Sequence, residues 1–266
     1  MIGSAGAIAF WIVLYVLLEV AGRELPDAIL LAILLVGVPT LALGQVPLAR
    51  ETSIERLPAY WGSLATLWLL GTAAWLVGTR AGGAPAIGLR PLPWLGLVAW
   101  TAGLTLGGLL IMVAFRWIAE RVGVDDSPLL RGLIPRTREE KSVFGLLSVA
   151  AGVGEEIAYR GYAIPVLTPL VGVGGAAALS SVVFGALHAY QGILGVLRTT
   201  VMGAFLAWGF LAAGSLWPAI VAHTAIDLVA GIVLGEKLLS PPESIGVVGA
   251  LDAPRARTGG HTDTER

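Results

Sequence analysis

WLGLVAWTAGLTLGGLLIMVA, residues 94 to 114, runs for 21 residues without a charge. As an α-helix it would be about 31 Å long, and the hydrocarbon core of a bilayer is about 30 Å thick. The stretch reads as a membrane helix, and seven others resemble it. They run from Ala5 to Ala21, Ala28 to Leu43, Tyr60 to Val77, Val143 to Leu167, Gly172 to Ala189, Ile193 to Ala213 and Leu216 to Leu234. The fold class expected is therefore an all-α polytopic membrane protein, a bundle of about eight transmembrane helices. The second stretch is short and carries Pro39, so seven spans plus a re-entrant piece is the alternative. The first stretch lacks a small-residue cleavage site and is kept as a helix, not a removed signal.

Composition agrees. Of 266 residues, 56 % are hydrophobic and 13 % charged, with a mean hydropathy of +0.82, whereas ordinary soluble domains carry about 25 % charged residues. Too little charge remains to cover a soluble surface. A net charge of −1 gives no case for nucleic acid as a partner, and the bilayer itself is the expected surrounding. Cysteine is absent, which excludes disulfides, thiolate metal sites and cysteine nucleophiles. Any metal would need His, Asp or Glu.

Glycine accounts for 36 residues and recurs with alanine at spacing four, as in Gly154/Ala158, Gly172/Ala176, Gly185/Ala189 and Gly209/Ala213. Such faces let helices pack closely in lipid. If the helices alternate, twelve basic residues fall on one side and only Arg23, Arg80 and Arg90 on the other. That asymmetry expects both termini in the cytoplasm, in the plasma membrane. Three regions follow: helices 1–4 over 1–136, a helical core over 137–239, and a polar tail over 240–266 that reads as disordered. Thr137-Arg138-Glu139-Glu140 is a capping box that starts a helix at about Arg138.

Few ionisable groups remain within the apolar stretches, and most lie in the second half. They are Glu155, Glu156, Arg160, His188, Arg198, His223 and Asp227. Four isolated charges, Glu155, Glu156, Arg160 and Asp227, would cost on the order of 10–14 kcal/mol in the membrane. They must converge on an interior or a watered cavity. At 3.6 residues per turn Glu156 and Arg160 share a face, while Glu155 points about 100° away above Tyr159. The pattern expects a structural Glu156/Arg160 pair and a free Glu155 able to act as general base. His188 and His223, the latter one turn from Asp227, add two imidazoles. Arg198 reads as structural, and Tyr159 and Trp217 as packing and interface anchors.

Several chemistries are excluded. His188 and His223 are 35 positions apart, so the HExxH zinc motif is absent. Asp227 is the only aspartate within the expected spans, which leaves no aspartyl dyad, and neither Gly62-Ser63 nor Gly214-Ser215 has a serine-protease setting. A Glu/His site that activates water remains, with or without a metal.

Glu155 to Arg160 (EExxxR), Phe184 to His188 (FxxxH) and His223 to Asp227 (HxxxN/D) resemble, in this order, the signature of the CPBP family of intramembrane proteases. That family includes type II CAAX prenyl endopeptidases and bacteriocin-processing and immunity proteins. The resemblance covers about 75 residues. It implies a membrane-embedded cavity in which Glu155 and His188 activate water, His223 and Asp227 support the oxyanion, and Glu156 and Arg160 hold the helix in register. Phe184 and Tyr159 would be supporting residues. The implied substrate is a membrane-associated or lipidated protein or peptide. Asp227 stands where the best-studied branch has Asn, and as a carboxylate it is expected to orient His223 by accepting from it. No cofactor is favoured; zinc is the runner-up, with Glu155, His188 and His223 as candidate ligands. A non-proteolytic scaffold or immunity-type protein of the same family is the alternative function, and a proton-coupled transporter a weaker third.

Overall fold

A computed structural model describes residues 2–51, 55–125 and 127–235. The expected tail over 240–266 lies outside the described residues. Every regular element among them is helical. Seven segments are long and apolar enough to cross a membrane. We label the first four α1 (Gly3–Val20), α2 (Leu25–Pro47), α3 (Arg56–Thr79) and α4 (Trp94–Val122). The next, Arg138–Leu187, is 50 residues long, but its helical geometry is interrupted at Gly172, where φ is 74° and ψ 162°. That backbone conformation is open essentially to glycine alone. The chain reverses there: the Ser180 hydroxyl donates to the Tyr159 carbonyl at 2.8 Å. In an unbroken helix, residues this far apart in sequence would lie about 31 Å from each other. The segment is therefore two antiparallel arms, α5 (138–171) and α6 (173–187), followed by α7 (Ile193–Ala213) and α8 (Trp217–Leu234).

Among the described residues seven long helices and one short arm, α6, result, and two expectations change. Gly172, read from its spacing to Ala176 as a packing face, is the turn of the α5/α6 hairpin, with no atom near enough to pack on. The second stretch is a helix of 23 residues, about 34 Å, so it does not fall short of a span. A widened π turn at Ile33–Gly37 immediately precedes Pro39, where the helix accommodates a residue lacking an N–H.

Contacts at the loops follow strict alternation. At one end Arg80 reaches Glu24 at 2.8 Å and Asp27 at 2.5 Å, and the Ser215 hydroxyl donates to the Arg90 carbonyl at 2.7 Å. Asp27 first, then Glu24, holds the Arg80 guanidinium above its ordinary range. At the other end the Tyr60 hydroxyl donates to the Leu133 carbonyl at 2.6 Å, and Arg56 faces Glu140 at 3.5 Å. The capping box forms as expected: Thr137 Oγ1 accepts from the Glu140 amide and the Glu140 carboxylate accepts from the Thr137 amide, at 3.1 and 3.0 Å.

The bundle is apolar outside and polar at its centre. Leu69 and Trp94 are 74 % and 71 % exposed on its surface, whereas Glu156 and Arg160 are fully enclosed. Helices approach most closely at small residues. Gly71 of α3 abuts Gly154 of α5, where an added Cβ would sit 2.7 Å from the Gly154 Cα. This crossing seats α5, and with it the motif residues, against the first half of the chain.

Candidate active site

The site is built on α5, and the local backbone of α5 decides its shape. From Glu156 to Ala163 the helix widens into π geometry, and all eight residues are buried. Wide turns of this kind cluster at functional positions. In a regular α-helix the consecutive side chains of Glu155 and Glu156 would diverge by about 100°. Here the two reach opposite edges of one imidazole, Glu156 at Nδ1 and Glu155 at Nε2.

That imidazole is His223 of α8. Its Nδ1 donates to Glu156 Oε1 at 2.8 Å. On the opposite edge, Nε2 faces Glu155 Oε2 at 3.6 Å and Asp227 Oδ2 at 3.7 Å. Glu156 Oε1 also accepts from Arg160 Nη1 at 2.8 Å. A carboxylate held by an arginine only accepts, so the Nδ1 of His223 carries a proton and the ring is oriented. The expected Glu156/Arg160 pair is present, but Glu156 does more than hold a helix: it orients His223. The orienting part expected of Asp227 is thereby filled from α5. Being one turn along the same helix, Asp227 lies beside Nε2, beyond hydrogen-bond distance.

Arg160 is locked from three sides. Its Nη2 donates to the Gly203 carbonyl at 3.2 Å, and its guanidinium lies 4.3 Å from the centroid of Phe184. Phe184, on α6, is the hub of the site: Tyr159, His188 and His223 surround its ring at centroid distances of 5.7, 5.0 and 6.1 Å. His188 Nδ1 donates to the Phe184 carbonyl at 2.9 Å. A carbonyl only accepts, so His188 Nε2 keeps a free lone pair, as a proton acceptor requires. Tyr159 is enclosed and packs edge-on to Phe184, with its backbone carbonyl tied to Ser180. Among the described residues its hydroxyl, Glu156 Oε2 and Arg160 Nε are buried without hydrogen-bond partners.

Exposure grades outward. The side chains of Glu156 and Arg160 are 0 % exposed, His223 9 %, Glu155 13 % and Asp227 35 %. A buried ion pair thus backs an imidazole whose free edge, with Glu155 and Asp227, looks onto the accessible side. Among the described residues no three His, Asp or Glu side chains converge as a metal site. The donor set therefore does not fit a zinc held by three protein ligands.

One neighbourhood escaped sequence reading. Tyr190 and Gln191, in a short turn after α6, lie against His188 and Arg198. The only cue was adjacency to His188, because the turn falls at the end of the apolar stretch. Arg198, read as structural, donates from Nη2 to Gln191 Oε1 at 2.7 Å.

No curated protein and no solved structure matches the chain. Residues 139–229 match the family model described as type II CAAX prenyl endopeptidase Rce1-like. The matched region runs from the first turn of α5 into α8 and contains Glu155, Glu156, Arg160, Phe184, His188, His223 and Asp227. The domain at residues 139–229 of this integral membrane protein belongs to the CPBP family of intramembrane proteases.

Proposed function

We propose that the chain is an intramembrane endopeptidase that hydrolyses a peptide bond in a membrane-associated or lipidated protein. The observation that carries this reading is the convergence of Glu155 from α5 and Asp227 from α8 on the Nε2 edge of His223, at 3.6 and 3.7 Å, inside a membrane bundle. Carboxylates and an imidazole enclosed together in an apolar domain mark a functional site.

In this reading a water molecule attacks the scissile carbonyl carbon, and the carbonyl electron pair moves onto oxygen. Glu155 takes the water proton, with the free Nε2 of His188 as the neighbouring acceptor. His223, in its imidazolium form, donates from Nε2 to the oxyanion while Glu156 holds its other edge. The proton on Glu155 then passes to the leaving nitrogen as the C–N bond breaks, giving a carboxylate and an amine. Asp227 lines the same edge and completes the polar wall. The mechanism proposed is metal-free. In this reading both termini are cytoplasmic and the membrane is the plasma membrane; the twelve-to-three distribution of basic residues favours that orientation.

The test is reconstitution in liposomes with prenylated and unprenylated membrane peptides, comparing wild type with Glu155→Gln. Cleavage by wild type alone is the expected result. Equal cleavage by both would overturn the role of Glu155, and none by either would favour a binding role for the domain.

A further inference from the structure

The turn that follows α6 brings a phenol against the site. Tyr190, in Ala189–Gln191, packs its ring on His188 with centroids 6.0 Å apart and planes tilted by 35°. Its hydroxyl accepts from Gln191 Nε2 at 3.1 Å. Gln191 is itself anchored through Oε1, which accepts from Arg198 Nη2 at 2.7 Å. A phenol has lone pairs to accept with and one proton to donate. The Gln191 contact uses a lone pair, so it fixes the position of the hydroxyl without consuming its proton.

That proton stays in place at neutral pH. Burial foremost, with the Glu155 and Asp227 carboxylates behind it, holds the phenol above its ordinary range against the Gln191 hydrogen bond and Arg198.

A tetrahedral oxyanion calls for donors aimed at it, and the motif residues are short of them. Asp227 as a carboxylate accepts only. His188 spends its Nδ1 proton on the Phe184 carbonyl and His223 spends its own on Glu156, at 2.9 and 2.8 Å. The unpartnered Tyr159 hydroxyl and Arg160 Nε are fully enclosed, so on the accessible edge only the Nε2 of His223 is left.

We propose that Tyr190 is a catalytic residue, a second hydrogen-bond donor to the oxyanion, acting from the His188 side while His223 acts from the other. The inference rests on the hydrolytic reading above. Tyr190 transfers no proton: the water proton goes to Glu155, the carbonyl pair goes to oxygen, and the phenol O–H shares its hydrogen with that oxygen until the C–N bond breaks.

The experiment uses the full chain in liposomes with a prenylated fluorogenic peptide. Tyr190→Phe keeps the ring on His188 and removes only the hydroxyl. Its kcat is expected to fall about 100-fold, as when one oxyanion donor is lost elsewhere, with KM within about twofold and thermal unfolding unchanged. Gln191→Leu, which frees the hydroxyl from its anchor, should lower kcat in the same sense and by less. A purely structural role would not separate kcat from KM in this way. Cleavage at the wild-type rate by Tyr190→Phe, or a loss carried wholly by KM, overturns the assignment to Tyr190 while leaving the hydrolytic reading intact. Failure of folded wild type to cleave any peptide overturns both.

Discussion

Glu156 accepts the Nδ1 proton of His223 across 2.8 Å, joining two helices through residues 67 positions apart. The same oxygen holds Arg160. Three consequences of a single buried carboxylate follow: α5 is pinned to α8, the His223 ring is oriented, and the charge of Arg160 is answered where its side chain is fully enclosed. Glu156→Ala would strand that guanidinium. Breaking a buried pair from one side costs about 3–5 kcal/mol, and thermal unfolding in detergent should show a loss of that order. Arg160→Lys, which keeps the charge but not the planar fork, should lose less and still fall below wild type.

Asp227 gives a prediction of opposite sign. Because Glu156 already orients His223, the Asp227 carboxylate is not needed for that purpose, and an amide in its place could donate to the oxyanion. Asp227→Asn is expected to keep or exceed the wild-type kcat on a prenylated peptide. A fall of tenfold or more would show that the negative charge itself is required. In the double variant with Tyr190→Phe, the new amide should restore part of the lost rate.

Gly154 tests the close crossing. A Cβ there would come 2.6 Å from the backbone carbonyl of Leu67, which cannot swing aside as a side chain can. Overpacking of this kind costs about 1–3 kcal/mol. Gly154→Ala should lower the unfolding temperature, and Gly96→Ala, at a position with nothing nearby, should leave it unchanged.

Gly172 tests the hairpin. A side chain at φ 74° and ψ 162° is strained whatever the space around it, at about 1–3 kcal/mol. Gly172→Ala should therefore destabilise, whereas Gly174→Ala, inside α6 and equally uncrowded, should be neutral or stabilising because alanine is the better helix former.

Metal removal offers a further check. With no three-donor cluster among the described residues, activity is expected to survive exhaustive chelation. Chelator-sensitive cleavage restored by added zinc would contradict the metal-free mechanism.

Much of this architecture is legible in the sequence, for identifiable reasons. Membrane helices announce themselves by length and apolarity, and Thr137 with Glu140 announces the start of α5 because capping is local chemistry. The i,i+4 pairing of Glu156 with Arg160 survives a widened helix. What could not be read depends on departures from regular geometry or on distant partners. Glu155 and Glu156 share one ring because His223 of α8 stands between them, a partner that the period of α5 alone does not name. Gly172 has the spacing of a packing residue and the dihedrals of a turn. The Glu156 to His223 bond joins helices whose facing cannot be deduced from either alone, and Tyr190 lies just past the end of its apolar stretch.

The brevity of α6 bears on the lipid as much as on the protein. Residues 173–187 make a rod of about 22 Å, well short of the roughly 30 Å of hydrocarbon beside it. Lipid next to a short element thins to match it, at a modest cost per ångström. The water boundary would dip toward the end of α6 where His188 stands, so that the shortness of one arm would bring water to the site in a membrane that otherwise excludes it.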